Sequence, residues 1–240
     1  MTDETVRKWR TSGFLVGIVF FLTVIFFMVW GYNALFNWAQ SRNDAPVNEV
    51  VVHGDFTYLD KAQLEAAIRK KLDGSFFTLN VEKLQQAVQQ NPWVYGVSIR
   101  KEWPQKVKVY VVEQQAFAVW NNDLLLNTFG DVFYANGVEV PDSLPRLYGP
   151  EGNEKDVLQG YVNMQSLLEL HNFNISELVL SERYAWQIWL KTGIQLNLGR
   201  SDKMSRVQRF IDLYPLLSKD NKKVAKVDLR YDIGLAASWQ

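Results

Sequence analysis

The chain has 240 residues, 48% of them apolar, which is enough to bury a proper core and matches one large domain or two small ones. Its 26 basic residues balance 26 acidic ones, which argues against a nucleic-acid-wrapping protein, because such surfaces carry a clear positive excess. Cysteine is absent, which removes disulfides, thiol nucleophiles and thiolate metal sites together and suits a compartment where stray thiols would oxidise.

No charged residue occurs from Thr11 to Ser41, and the centre of that stretch reads GFLVGIVFFLTVIFFMVWGY. About 20 apolar residues in a helix cover the roughly 30 Å hydrocarbon layer, so a transmembrane helix is predicted over 13–33. A cleaved signal peptide would have an apolar region of about 7 to 15 residues followed by small residues. Here the run is longer and leads into YNALFNWAQ, where Tyr32, Phe36 and Trp38 suit an interfacial aromatic belt. Arg7, Lys8 and Arg10 precede the run and only Arg42 follows it closely. The positive-inside bias then keeps residues 1–12 in the cytoplasm and puts everything after the span outside, which in a bacterium means the periplasm.

After the polar linker SRNDAP, the run VNEVVVHGD reads as a first strand. Asp60 is positioned to cap a helix with Gln63 at its third position, and Leu64, Ala67, Ile68 and Leu72 follow at helical spacing until Asp73-Gly74. Asn80 caps a second helix carrying Val81, Leu84 and Val88, with Pro92 beyond its end. Two strands follow, one with Tyr95, Val97 and Ile99 on its apolar face and one with Val107, Val109 and Val111, joined by a turn at KEWPQ. The order β-α-α-β-β over about 47–116 describes a small α+β module.

Residues 117–240 form a second unit. LLLNTFGDVFY resembles a pair of strands around Gly130-Asp131, and PDSLPRLYGPEGN, dense in Pro and Gly, reads as loop. A helix is predicted over about 156–170 with Val157, Tyr161, Met164 and Leu168 on one face, an ordinary packing surface. Tyr184, Trp186, Ile188 and Leu190, then Ile194, Leu196 and Leu198, alternate on either side of a three-residue loop ending at Gly193, a hairpin with a bulge. Ser201 is expected to cap a last helix carrying Met204, Val207, Ile211 and Tyr214, with Pro215 kinking or ending it. After SKDNKKVA, the apolar Val227, Leu229, Tyr231 and Ile233 alternate with Asp228, Arg230 and Asp232, which predicts a closing strand with one dry face. The whole is α+β: a membrane helix, a small module, and a mostly antiparallel sheet with two helices.

Reaction chemistry is not written into this chain. His53 lies beside a turn glycine and His171 at a helix end, neither at a zinc-site spacing from another ligand. Ser181 and Ser201 lack a nearby His or Lys pattern, and there is no P-loop and no GxSxG. Asp228 and Asp232 would stand about 13 Å apart along one strand, a poor pair for glycoside chemistry. The basic groups Arg100-Lys101 with Lys106 and Lys108, and Lys222-Lys223, read as solvated surface, with a weak docking patch as the sharper alternative. No catalytic, cofactor or metal site is therefore expected. What remains is exposed strand edge, a natural docking surface for a partner strand.

The segments NPWVYGVSIRKEWP, LPRLYGPEG, VLQGY, GIQLNLGR, RFIDLYP and above all VDLRYDIGLAASW resemble the FtsQ/DivIB family of bacterial cell-division proteins in its proteobacterial form. The resemblance spans nearly the whole chain, with the motifs in the family's order. It implies that 47–116 is a POTRA domain and 117–240 the family's β domain, in a single-pass protein of the bacterial inner membrane at the division septum. It also implies a non-enzymatic divisome scaffold that links early and late division proteins and binds the small bitopic proteins FtsB and FtsL. The family's β-domain edge receives a strand from FtsB, at positions that correspond to Arg183, Arg230, Tyr231, Gly234 and Trp239. Tyr231 and Trp239 offer flat apolar area with a polar handle, the arginines can pair acidic groups, and Gly234 lets another backbone approach. A recruitment region of the POTRA module corresponds to Ile99 and Lys101. Two departures stand out: Ile233, where the family often has a small polar residue, and Gly96, in place of a larger polar one. Two other classes compete: a peptidoglycan hydrolase, which needs converging carboxylates or a metal, and a POTRA chaperone, which commonly repeats the module and adds an outer-membrane barrel.

Overall fold

The computed structural model describes residues 3–41, 45–135, 137–218 and 223–239. Arg42, Asn43 and Asp44 of the linker, and Lys222, lie outside them. The chain divides into two compact units, Met1–Asn91 with Gly96–Val112, and Pro92–Tyr95 with Glu113–Gln240.

In the first unit, helix α1 (Asp3–Gln40) contains a stretch, Val16–Gln40, long and apolar enough to cross a membrane, with mean hydropathy 2.1 and no buried residue in its apolar window; only at its end do Trp38, near the Phe77 ring, and the Ala39 carbonyl, accepting from Ser75, meet the small module. Phe20, Leu22, Ile25, Phe27 and Trp30 are all exposed around its circumference. A helix apolar on every side is at rest only in a non-aqueous surround. The small module follows as β1 (Glu49–His53), α2 (Lys61–Lys71), α3 (Val81–Gln89), β2 (Val94–Glu102) and β3 (Lys106–Glu113), in the expected order. Both predicted caps form: the Asp60 carboxylate accepts from the N–H groups of Ala62 and Gln63, and the Asn80 side chain from that of Lys83. β3 lies between β1 and β2 and runs parallel to β1. Val50, Val52, Val107, Val109 and Val111 on the sheet, and Leu64, Ile68, Leu84 and Val88 on the helices, supply the buried core. One detail differs from the sequence reading. In β2 the buried residues are Val94, Val97 and Ile99, and Tyr95 is exposed, because the alternation breaks between Val94 and Val97.

In the second unit, a nine-stranded sheet is formed by β4 (Ala116–Trp120), β5 (Leu124–Asn127), β6 (Val132–Tyr134), β7 (Arg146–Tyr148), β8 (Ile175–Leu180), β9 (Trp186–Leu190), β10 (Gln195–Gly199), β11 (Val224–Asp228) and β12 (Ala236–Trp239). Their order across the sheet is β12-β11-β10-β9-β8-β7-β4-β5-β6. The pairs β4–β7, β7–β8 and β10–β11 are parallel and the others antiparallel. Helix α4 (Glu154–Glu169) joins β7 to β8, and α5 (Lys203–Leu217) joins β10 to β11. Both crossovers step the same way across the sheet from strands that point the same way. The right-handed rule therefore puts both helices on one face, where they pack against each other. Met164, Leu168, Val207 and Phe210 from the helices, and Leu147, Leu178, Ile188, Leu196 and Val227 from the strands, are fully buried between these layers.

β4, β7 and β8 lie in stretches whose local pattern predicts no strand, β7 inside the Pro- and Gly-dense segment 141–153. The predicted hairpin forms at Gly193, whose φ is 88° and whose N–H donates to the Leu190 carbonyl at 2.9 Å. Ser201 is not the cap of α5. That position falls to Asp202, at φ 54°, without a side-chain cap bond. Pro215 sits inside α5, which ends two residues later at Leu217.

The largest correction concerns the chain end. The strand predicted over 227–233 stops at Asp228. Val227 and Leu229 are fully buried as expected, but Tyr231 and Ile233 are 56% and 93% exposed. The Asp228 carboxylate accepts from the N–H of Arg230 at 3.1 Å, an Asx-type turn that breaks the strand. Gly234 then takes φ 77°, and Ala236–Trp239 comes back antiparallel to β11. The outer flank of β11 is thus covered by the protein's own chain, and among the described residues the open edge on this side of the sheet belongs to β12, with β6 at the opposite margin.

Candidate docking edge

Among the described residues β12 pairs with β11 alone, so the peptide groups along its other side are open to a further strand. Protected edges carry prolines, lysines or inward charges. β12 reads AASW, with no proline and no charge, and the small side chains of Ala236, Ala237 and Ser238 let a second backbone approach.

At the N-terminal end of β12 lies the loop 229–235, which carries three of the predicted site residues. Arg230 is exposed and clasped by Asp228: its Nε donates to both carboxylate oxygens at 2.9 and 3.0 Å and its Nη2 to Oδ2 at 2.6 Å. These bonds from Arg230 hold the Asp228 carboxyl below its usual range. Tyr231 projects outward, and a Cβ on Gly234 would meet open space. The loop is tied down from α5, where Arg206 donates to the carbonyls of Leu198 and Arg230, and Arg209 to those of Tyr231 and Gly234.

Arg183 is exposed in the turn between β8 and β9, which Ser181 closes by accepting from the N–H of Ala185 at 3.1 Å. Since β9 begins opposite the end of β10, and the end of β11 lies beside it, that turn emerges at the same end of the sheet as the 229–235 loop. At about 4.8 Å per strand the separation is roughly 10–14 Å. Trp239 stands at the other end of β12, opposite Val224, 45% exposed, with its indole N–H donating to the Leu217 carbonyl at 3.3 Å. The structure therefore gathers Arg183, Arg230, Tyr231 and Gly234 at one end of the edge and puts Trp239 at the far end.

The two residues singled out in the small module differ in kind. Ile99 is buried, 8% exposed, and offers little surface to a partner. Lys101 is half-buried, donates from Nζ to the Phe77 carbonyl at 3.0 Å and lies 5.9 Å from the Phe76 ring centre; partial burial lowers its pKa. A side chain at position 96 would have free space.

Sequence pattern alone assigns no role to Arg206 or Arg209. The available signal was a basic residue at 206 next to the apolar Val207–Ile211 face of α5, an arrangement that requires a buried acceptor. Among the described residues, no group of three or more His, Cys, Asp or Glu side chains is placed to hold a metal ion.

A family model described as "Cell division protein FtsQ/DivIB, C-terminal" matches residues 118–230, and one described as "POTRA domain, FtsQ-type" matches residues 45–114. The chain belongs to the FtsQ/DivIB family. Curated relatives named "Cell division protein FtsQ" cover almost the same span. The one from Shewanella oneidensis is 42% identical over 97% of this chain and 91% of its own length. Those from Vibrio cholerae and Escherichia coli are 36% and 35% identical over 99% of this chain and 92% and 89% of their own lengths. The resemblance carried by the sequence motifs is thereby established, and with it the general role in cell division. The C-terminal family match stops at Arg230, so β12 lies beyond it.

Proposed function

We propose that this chain is a non-catalytic scaffold of the division septum. In this reading residues 13–33 anchor it in the inner membrane with 1–12 in the cytoplasm, and the POTRA domain (47–116) and β domain (117–240) lie in the periplasm. The basic residues Arg7, Lys8 and Arg10 ahead of the apolar window support that orientation. Its work is adhesion: FtsB adds a strand to β12, FtsL joins through the same assembly, and early and late division proteins are thereby linked. Arg183 and Arg230 meet acidic groups of the added segment, Tyr231 and Trp239 anchor it, and Gly234 leaves room for its backbone. Ile99 and Lys101 belong to a separate recruitment surface, to which buried Ile99 contributes shape and Lys101 contact.

The observation that carries this reading is the uncharged edge of β12, unpaired among the described residues, with aromatic side chains half-exposed near both ends. Strand addition satisfies such an edge through main-chain bonds, and flanking side chains select the partner. The test is calorimetry of the full-length protein in detergent micelles with a peptide from the periplasmic part of FtsB, beside a variant ending at Leu235. Saturable binding that falls at least tenfold without β12 is expected. Equal binding by the shortened chain would refute strand addition at this edge.

A further inference from the structure

Arg206 and Arg209 stand three residues apart, neighbours on one face of α5. Arg206 is buried, donating to the Leu198 carbonyl and, at 3.4 Å, to that of Arg230. Its guanidinium fits because Gly199 has no side chain: a Cβ there would lie 2.8 Å from Arg206 Nη1. Arg209 uses one nitrogen, Nη1, to reach the Tyr231 carbonyl at 2.7 Å and the Gly234 carbonyl at 3.3 Å. Among the described residues Arg209 pairs with no carboxylate, so its charge acts on these two carbonyls. The stretch they bracket has little else to hold it. Leu229 is buried and Leu235 packs on the core, but Tyr231, Asp232 and Ile233 between them are exposed.

We propose that Arg209 is a positioning residue for partner docking, acting through the loop that bears Tyr231. Drawing the Tyr231 and Gly234 carbonyls to one cation sets the turn that presents the Tyr231 ring and leads the chain into β12, and Arg206 fixes the root of the same loop. A loop ordered beforehand spares a partner the entropy of ordering it on docking. The geometry calls for arginine. Both carbonyls are met by the one nitrogen Nη1, whose two N–H groups are fixed in the guanidinium plane, whereas the donors of a lysine ammonium turn freely on a flexible stem.

This inference rests on the function proposed above, and the test separates the two. Amide hydrogen exchange and affinity for the FtsB peptide are measured on the full-length protein and on Arg209→Ala, Arg209→Gln and Arg209→Lys. In Arg209→Ala, exchange at 230–235 is expected to quicken about tenfold, with β9 unchanged, and affinity to fall about tenfold, as for loss of one charge-assisted interaction. Arg209→Lys is expected to recover part of both, a graded rescue that general destabilisation would not produce. If β9 also loosens in Arg209→Ala, Arg209→Gln, which keeps most of the side-chain stem, is the deciding variant. Wild-type binding matched by the deciding variant, or unchanged loop exchange, overturns the positioning role alone. A wild-type chain that does not bind the peptide overturns the functional reading together with it.

Discussion

Truncation of Tyr231 is the sharpest single perturbation of the docking edge, because this side chain contributes so little to the protein's own core. It is 56% exposed. A tyrosine presents roughly 200 Å², so about 110 Å² remains for a partner to cover. At about 25 cal/mol per Å², full cover is worth about 2.8 kcal/mol and three-quarters cover about 2 kcal/mol. Tyr231→Ala should therefore weaken FtsB-peptide binding about 30- to 100-fold, at about 1.4 kcal/mol per decade. Unfolding stability should stay within about 0.5 kcal/mol of wild type, as for other exposed positions. Titration calorimetry gives the first quantity and denaturant melts the second. An affinity loss below about threefold, or a loss accompanied by equal destabilisation, would refute the assignment of Tyr231 as an anchor.

Two predictions concern the scaffold beneath the edge. Gly160, within α4, faces the indole of Trp186: an added Cβ would lie 2.6 Å from Cη2 and 2.7 Å from Cζ3 of a buried ring over which Lys203 Nζ sits at 4.4 Å. Overpacking costs about 1–3 kcal/mol and alanine's helix propensity returns about 1 kcal/mol, so Gly160→Ala should lower the thermal midpoint by a few degrees, and a rise would contradict the packing argument. The Asp228 carboxyl is held below its usual range by Arg230, so its contribution to stability is complete above the unfolded value near about 4 and is lost as pH falls through the lower folded value. Arg230 is largely exposed and the effect is small; melts of wild type and Asp228→Asn should differ slightly at pH 6 and converge in acid, and a gap that widens on acidification would contradict it.

Local rules worked where the energetics were local. The Asp60 and Asn80 caps, the Gly193 hairpin and the apolar window of α1 each follow from a few adjacent residues. They failed where neighbours across the sheet decide. β7 is three residues flanked by prolines and glycine, and it is a strand because β4 and β8 lie parallel on either side of it. β8 is buried in the pattern Ile175, Leu178, Leu180, without the strict alternation of a half-exposed strand. At the docking edge, the residue types were legible from the sequence but their arrangement was not. The period-two pattern from Val227 to Ile233 runs through a turn set by Asp228. Its continuation as a hairpin depends on contacts from Arg206 and Arg209, residues about 20 positions earlier that no local window would connect to it.

The strand order of the large sheet bears on how the molecule is made. Apart from the join between β7 and β4, every neighbouring pair in the sheet is also consecutive in the chain. Ribosomes deliver residues from the amino end, so each new segment arrives beside a template that is already in place, and the average loop to be closed stays short. Such a chain can grow like a zipper, with β12 the final tooth. The open edge of β12 is then formed only after the strands that support it, which shortens the time an unfinished sheet is offered to unrelated chains.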